Sequence, residues 1–157
     1  MNKTLVCYFS ASGITRRVAE NIATAVNGSL FEIEPVEKYS DVDLDWTNKE
    51  SRSSIEMQDD SSRPEVVRKI DNILEYDNII LGFPVWWYVA PRIVNTFIEE
   101  NDLSEKDVYV FVTSGSSGYE SSLKDLREKY PNINFISGIR LKKDSSLEDI
   151  KKWLKID

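Results

Sequence analysis

A short polar segment near the start of the chain, Ser10-Ala11-Ser12-Gly13-Ile14-Thr15, has the residue types of an anion-binding loop. We call it the serine loop. Its three hydroxyl groups can hydrogen-bond phosphate oxygens, and its glycine lets the backbone approach a ligand closely. The loop follows an apolar run, residues 4–9, that is typical of a buried strand, and it leads into a predicted helix. Because a helix N-terminus offers unpaired N–H groups and partial positive charge, we expect the serine loop to bind an anion. The apolar face of that helix has residues four apart: Ile14, Val18, Ile22 and Val26.

The absence of two motifs limits the class of ligand that the serine loop can bind. There is no Gly-x-x-x-x-Gly-Lys-Ser/Thr motif, and so no lysine for the β- and γ-phosphates of a nucleotide. No Gly-x-Gly-x-x-Gly follows the first strand, which argues against a dinucleotide pyrophosphate. The loop therefore fits a terminal monophosphate. The alternative is an ordinary Ser/Gly turn that only caps a helix.

A second segment, residues 82–91, places three large aromatic residues in a row between two prolines. We call it the aromatic loop. Trp86, Trp87 and Tyr88 cannot all point into one core, so we expect one or two of them at the surface. A flat ligand can stack there, since aromatic pairs contribute about 0.5–1.5 kcal/mol beyond their burial. The alternative role, a core staple between helices, is expected for at least one of the three.

A third segment, residues 113–119, combines two glycines with four hydroxyl residues, and we call it the glycine-serine loop. Its backbone N–H groups can meet the polar edge of a ring, and Tyr119 can stack or hydrogen-bond. Alone, such a segment indicates only a turn. All three loops follow predicted strands, however, and parallel sheets bind ligands beyond the carboxyl ends of their strands.

The composition excludes several classes of chemistry. A length of 157 residues with 41% hydrophobic and 30% charged residues indicates one soluble globular domain over residues 1–157. The chain has no histidine, which excludes Ser-His-Asp triads and His-based zinc sites. Its single cysteine, Cys7, lies in an apolar strand and is expected to be a buried, inert thiol. We therefore predict no catalytic side chain and no metal site: the protein only binds, or it takes its chemistry from a cofactor.

Strand and helix patterns alternate along the chain and predict an α/β fold with a doubly wound parallel sheet. The predicted strands are residues 4–9, 30–34, 78–83, 108–112 and a weaker 134–136. Further helices are predicted from Pro91, around Leu123 and Leu126, and from a capping box at Ser145-Ser146-Leu147-Glu148. Another is predicted from Pro64, as a first-turn proline, with an apolar side of Val66, Val67, Ile70, Ile73 and Leu74.

Residues 39–64, from Tyr39 to Pro64, interrupt this alternation, and we call them the excursion. The segment is rich in Ser and Asp and has few apolar anchors. Because a structureless loop of this length is uncommon, we expect either a short helix near Asp45 and Trp46 or a lid over the site. A solvated surface excursion is the alternative.

These loops together resemble those of the flavodoxin-like family, over nearly the whole chain. The family's phosphate loop, a hydroxyl residue followed by any residue and then Thr/Ser-Gly-x-Thr, matches the serine loop. The chain is most similar to the bacterial short-chain branch with a Pro-x-Trp-Trp-Tyr loop, matched by Pro84-Val85-Trp86-Trp87-Tyr88. The resemblance implies a five-stranded parallel sheet of order 2-1-3-4-5 with helices on both faces, and noncovalently bound FMN.

The resemblance also assigns expected cofactor contacts to each loop. Ser10, Ser12, Gly13, Ile14 and Thr15 would hold the phosphate of FMN. Trp86, Trp87 and Tyr88 would border the isoalloxazine, next to Pro84 and Val85, while Ser114, Gly115 and Gly118 would meet its pyrimidine edge, next to Tyr119. Two features depart from the family: Ile14 replaces a common asparagine, and Ser116 and Ser117 enlarge a loop that is often richer in glycine.

The expected function is electron transfer through FMN, with an NAD(P)H-dependent quinone reductase as the alternative. A flavin-less binding module on the same fold is a further, less favoured interpretation. A phosphoacceptor receiver domain is rejected, since the first strand ends in Phe9-Ser10 rather than in acidic residues. Arg16 and Arg17 lie off the apolar helix face and are interpreted as solvated charges.

The expected partners are a redox protein or a small molecule such as NAD(P)H or a quinone. The chain has 20 basic and 27 acidic residues, a net charge of −7, which disfavours nucleic acid and anionic membranes and suits a basic partner protein. No apolar run is long enough to span a bilayer, and Met1-Asn2-Lys3 leads straight into a strand. We therefore expect a cytoplasmic protein, as a monomer or homodimer.

Overall fold

Five parallel strands form one sheet, in the order β2-β1-β3-β4-β5, in the computed structural model, which describes residues 3–157. The predicted doubly wound arrangement and its strand order are confirmed. The strands are β1 (Thr4–Tyr8), β2 (Ser29–Glu32), β3 (Asn78–Pro84), β4 (Asp107–Thr113) and β5 (Asn134–Arg140). The helices are α1 (Ile14–Val26), α2 (Arg52–Gln58), α3 (Arg92–Glu100), α4 (Glu120–Lys129) and α5 (Leu147–Leu154).

The two faces of the sheet bury separate apolar layers. In β1, Leu5 and Cys7 face one layer, which includes α3 and α4, while Val6 and Tyr8 face the other, which includes α1 and α5. This alternation follows from the two-residue period of a strand, and burial on both faces explains why β1 and β3 are nearly continuous apolar runs. The sheet is therefore a rigid support for the loops that leave its carboxyl edge.

Cys7 lies at the centre of this support, because β1 pairs with β2 on one side and with β3 on the other. Its thiol is fully buried, and this burial raises the pKa of Cys7 far above the usual value. The prediction that this thiol is buried is confirmed. Within the described residues, every helix is too short or too polar to span a bilayer.

The helix predicted from Pro64 is wrong. Val66 instead forms an antiparallel bridge with Pro35, in which the Val67 N–H donates to the Glu34 carbonyl over 2.8 Å. The Ile70 N–H donates to Oδ1 of Asn101, and only a short 3-10 helix follows, Ile73–Glu75. These long-range partners satisfy the backbone without a helix, so the helical spacing of the apolar residues here is coincidental.

Three predicted boundaries also differ from the structure. The excursion does contain a short helix, but it is α2, which begins at Arg52 behind an N-cap formed by Ser51, while residues 45 and 46 lie in turns. The N-cap of α5 is Ser146, which accepts a hydrogen bond from the Asp149 N–H, so the predicted capping box is shifted by one residue. Strand β5 continues to Arg140, four residues beyond the predicted end.

Candidate cofactor site

The serine, aromatic and glycine-serine loops meet at the carboxyl edge of the sheet, where they line two adjoining clefts. The aromatic cleft has a volume of about 490 Å³ and lies between the aromatic loop and the excursion. The helix-end cleft, of about 370 Å³, lies between the start of α1, the glycine-serine loop and the residues after β5. The two clefts adjoin, because four residues line both of them: Ser12, Pro84, Val85 and Trp86.

The serine loop is folded as an open turn against the start of α1. Gly13 has φ of 94°, a left-handed conformation that favours glycine, and its N–H donates to Oγ of Ser10 over 3.0 Å. Helix α1 begins at Ile14, and the N–H groups of its first turn have no acceptor within the helix. Ser12, Gly13 and Ile14 are exposed, so this end of α1 is accessible to an anion.

Thr15 has a different position from the other hydroxyl residues of the serine loop. It is buried, and its Oγ1 lies 2.7 Å from Oγ1 of Thr113, the last residue of β4. This bond ties the first turn of α1 to the glycine-serine loop. Thr15 thus fixes two parts of the helix-end cleft relative to each other, while Ser12 and Ile14 line it. Arg16 and Arg17 are exposed, as predicted.

The aromatic loop contains a tight hairpin closed by Trp86 and Val89, each of which donates its N–H to the carbonyl of the other. The two central residues, Trp87 and Tyr88, have φ of 49° and 69°. A hairpin of this kind normally has Asn-Gly at its centre, because side chains larger than those of Asn or Asp are strained in the left-handed region. Two aromatic residues with strained backbone, 45% and 70% exposed, therefore lie at the rim of the aromatic cleft.

Trp86 is the member of the aromatic triplet that packs against the core, although not between helices as a staple would. Its ring makes edge-to-face contacts with Phe9 and Tyr39, at centroid distances of 5.7 and 5.3 Å. The guanidinium of Arg52 lies over the Tyr39 ring, 3.8 Å from its centroid. Burial, with a hydrogen bond to Glu56, raises the pKa of Tyr39 well above its usual value, so this phenol stays protonated. The cluster fixes the excursion against the aromatic loop.

The glycine-serine loop is held by an arginine that the sequence did not indicate. Arg140, at the end of β5, donates from Nε to Oγ of Ser114 over 3.0 Å. Its Nη2 donates to the carbonyls of Ser114 and Gly115 over 3.1 and 2.8 Å. The Ser114 hydroxyl in turn donates to the Ser117 carbonyl. This arginine preorganises the loop beside the two clefts.

The excursion forms the wall opposite the aromatic loop through Leu44, Trp46 and Ser53. Trp46 is 74% exposed, whereas Ser53 is only 2% exposed. Within residues 3–157, Oγ of Ser53 has no hydrogen-bond partner, although its backbone N–H donates to the Asp43 carbonyl. An unpaired buried hydroxyl costs free energy in the folded state.

The structure brings most of the predicted site residues together, but not all. Five predicted residues line neither cleft: Ser10, Gly13, Thr15, Gly118 and Tyr119. The Tyr119 ring lies against the backbone of Gly138 in β5. Residues that sequence reasoning missed include Lys142 and Lys143, which line the helix-end cleft. They follow the fifth strand, so the rule that ligands bind beyond strand ends could have found them. The other missed lining residues are Ala11, Leu44, Trp46, Ser53, Thr113, Ser117 and Leu141.

Comparison with solved structures shows close likeness over the whole chain. One is a candidate flavoprotein from Bacteroides eggerthii DSM 20697, with 45% identity and a TM-score of 0.96 over 99% of this chain and 97% of that chain. Another is a flavoprotein in complex with FMN from Lactobacillus acidophilus NCFM. It has 26% identity and a TM-score of 0.75 over 98% of this chain and 99% of that chain.

Sequence comparison adds one distant relative and a family. Over 55 residues the chain is 33% identical to a protein of Escherichia coli (strain K12) named uncharacterized NAD(P)H oxidoreductase YcaK. This match covers 35% of the chain and only 24% of that relative. A family model described as Flavodoxin matches residues 3–156. The chain belongs to the flavodoxin family.

Proposed function

We propose that this protein binds FMN noncovalently and transfers electrons through it. The observation that carries the proposal is that the two clefts adjoin and share four lining residues. One has the open end of α1 and suits a phosphate, and the other has exposed aromatic rings and suits a flat ring system. A relative with 26% identity is in complex with FMN. A ligand with a phosphate at one end and an aromatic ring at the other fits this arrangement.

The donor set at the helix-end cleft fits the phosphate of FMN. Ser12 and the N–H groups of the first turn of α1 are available to its oxygens, and Lys142 and Lys143 add positive charge on the opposite side. Gly13 is open, since a side-chain atom built there would meet nothing within 4 Å. The cleft therefore favours a dianion even though the whole chain has a net charge of −7.

The ring of the cofactor would lie over residues 84–88 and beside the glycine-serine loop. Trp87 and Tyr88 offer stacking surfaces, and the exposed Gly115 offers backbone groups to a polar ring edge. The redox chemistry belongs to the isoalloxazine of bound FMN. The protein's own residues hold and orient the ring and exclude water from one side of it.

A cofactor titration tests this function directly. The purified protein is denatured and the released chromophore identified, and the apoprotein is then titrated with FMN and with riboflavin, which lacks the phosphate. We expect FMN to be released, and to bind much more tightly than riboflavin. A colourless protein that does not bind added FMN would exclude the proposal and leave a flavin-less module.

A charge variant locates the phosphate. Ser12→Asp places a carboxylate in the helix-end cleft. We expect it to lower the affinity for FMN at least tenfold and to change the affinity for riboflavin little, because the carboxylate repels the phosphate that only FMN has. The matched control is Ser29→Asp, which adds the same charge at the exposed start of β2, at the opposite edge of the sheet. Equal losses of both ligands in Ser12→Asp would contradict phosphate binding at the serine loop.

An NAD(P)H-dependent oxidoreductase is the second candidate, favoured by the similarity to a protein with that description over 55 residues. The discriminating measurement is anaerobic mixing of the FMN-loaded protein with NADH or NADPH. Rapid bleaching of the flavin supports a reductase. No bleaching over many minutes, together with reduction by dithionite, supports a carrier that takes electrons from a protein.

A further inference from the structure

We propose that Arg140 sets the redox preference of the site: its guanidinium raises the affinity for reduced FMN more than the affinity for oxidised FMN. This inference rests on the proposed function, because it concerns the two redox forms of that cofactor. Arg140 lines neither cleft, so it is a positioning residue that acts through the glycine-serine loop.

Arg140 occupies the carbonyl groups at the start of the glycine-serine loop. Its Nη2 donates to the carbonyls of Ser114 and Gly115 over 3.1 and 2.8 Å, and its Nε donates to the Ser114 hydroxyl over 3.0 Å. By contrast, the N–H groups of Gly115, Ser116 and Ser117 donate to no other group within residues 3–157. Because its carbonyls are occupied and its N–H groups are free, this part of the loop is a hydrogen-bond donor surface, which stabilises negative charge in a ligand.

The charge of Arg140 is not neutralised by a carboxylate. Its hydrogen-bond partners are a hydroxyl and two carbonyls, and it forms no ion pair with any of residues 3–157. The charged side chains that line the clefts, Lys142 and Lys143, are also basic, and no aspartate or glutamate of the described residues lines either cleft. The local field at the clefts is therefore positive, although the net charge of the chain is −7.

A positive field behind a donor surface distinguishes the two redox forms of the cofactor. Uptake of two electrons and one proton adds one negative charge to the flavin ring, at its pyrimidine edge. The proposed function puts that edge beside Gly115, where the free N–H groups and the guanidinium of Arg140 behind them stabilise the added charge. The same groups interact more weakly with the neutral ring of oxidised FMN.

The dissociation constants of oxidised FMN and of dithionite-reduced FMN, measured anaerobically on the same variants, test this role. Arg140→Gln removes the charge, and we expect the ratio of the reduced to the oxidised dissociation constant to rise about tenfold over the parent. The matched control is Arg127→Gln. Arg127 also donates to backbone carbonyls, those of Phe135 and Ile136, but it lines neither cleft, so the ratio should stay as in the parent.

Arg140→Lys separates the charge from the geometry of the loop. Lysine keeps the charge but lacks the planar fork of the guanidinium, so we expect both forms of FMN to bind less tightly, while their ratio changes less than about threefold. A role that is only structural would instead lower both affinities equally in every variant. An unchanged ratio in Arg140→Gln would therefore overturn the proposal.

A measurement on the unmodified protein keeps the proposal testable if Arg140→Gln does not fold. The absorption spectrum of reduced FMN is recorded, free and bound, as the pH is lowered. We expect the anion to persist to a pH about one unit lower when it is bound, which corresponds to a tenfold preference. The ionisable side chains that line the clefts are Lys142, Lys143 and Tyr88, and none of them is a carboxyl group that would titrate in the same acidic interval. Uptake of the proton at the same pH in both states would overturn the proposal, whereas failure of every form to bind FMN would refute the proposed function.

Discussion

The hydroxyl oxygens of Thr15 and Thr113 lie 2.7 Å apart in a buried position between the start of α1 and the end of β4. The two residues are separated by 98 positions in sequence, yet each is the other's partner. The bond therefore links two of the four segments that line the helix-end cleft. Its energetic role can be measured because threonine and valine have nearly the same shape.

Removal of both partners of this bond should destabilise the fold less than the sum of the two single removals. Thr15→Val or Thr113→Val leaves a buried hydroxyl unpaired and is expected to lower the free energy of unfolding by about 1–3 kcal/mol. The double variant leaves neither hydroxyl and should be less destabilised than the sum of the single variants. Urea denaturation of the four forms gives the coupling energy, and additive losses would show that the bond contributes nothing.

Gly13→Ala should impair the serine loop through its backbone alone. There is open space for the added methyl group, but φ of 94° is unfavourable for alanine, so we expect a loss of about 1–2 kcal/mol in stability. FMN affinity should fall as well, because the loop can relax only by moving the donors at the start of α1. Gly115→Ala is a comparison at another open glycine without positive φ, and a smaller loss of stability is expected there.

Replacing the strained residues of the hairpin should raise the stability of the apoprotein and lower its affinity for FMN. Combining Trp87→Asn with Tyr88→Gly gives the residues that the turn prefers, and should stabilise the apoprotein by about 1–2 kcal/mol. Loss of both rings should weaken FMN roughly tenfold or more. The control is Lys155→Gly, at a residue with positive φ at the end of α5, away from the clefts. It should stabilise the protein without changing its affinity for FMN. An unchanged FMN affinity in the hairpin variant would contradict the stacking role.

Tyr130 predicts a loss of stability at high pH. Burial, together with a hydrogen bond to Glu99, raises the pKa of Tyr130 to about 12. Because the folded state holds this proton more tightly than the unfolded state, the contribution is complete below pH 10 and is lost as the pH rises towards 12. The difference in unfolding free energy between the parent and Tyr130→Phe should therefore shrink over that interval. A constant difference would show that the phenol is not stabilised in its protonated form.

The sheet was predictable because its signals are local. Apolar runs flanked by glycine and polar loops mark β1, β3 and β4, and burial on both faces makes them unambiguous. The segment after Pro64 was mispredicted because its structure depends on distant partners. Val66 pairs with Pro35 and the Ile70 N–H pairs with Asn101, whereas Leu74, a residue of the predicted apolar side, is 92% exposed.

The three loops of the site were predictable from the sequence, but the excursion residues that line the aromatic cleft and the arginine that holds the glycine-serine loop were not. The types of Ser12, Trp87 and Tyr88 pointed to anion binding and stacking, and all three line the clefts. Ser53 could not be found from its sequence context, since its position in the cleft depends on contacts such as those of Arg92 with the far end of α2. The role of Arg140 likewise arises only when β5 is paired beside β4.

Because Cys7 is buried in the core, the rate at which its thiol is alkylated measures how often the core opens. Its thiol is the only one in the sequence and faces the buried layer that includes α3 and α4, so an alkylating reagent reaches it only when this layer opens. The alkylation rate, divided by the rate for a free thiol, gives the population of that open form. Any ligand that binds at the serine loop lowers the alkylation rate of Cys7 in proportion to its occupancy. The affinity of a colourless ligand can therefore be measured on the unmodified protein.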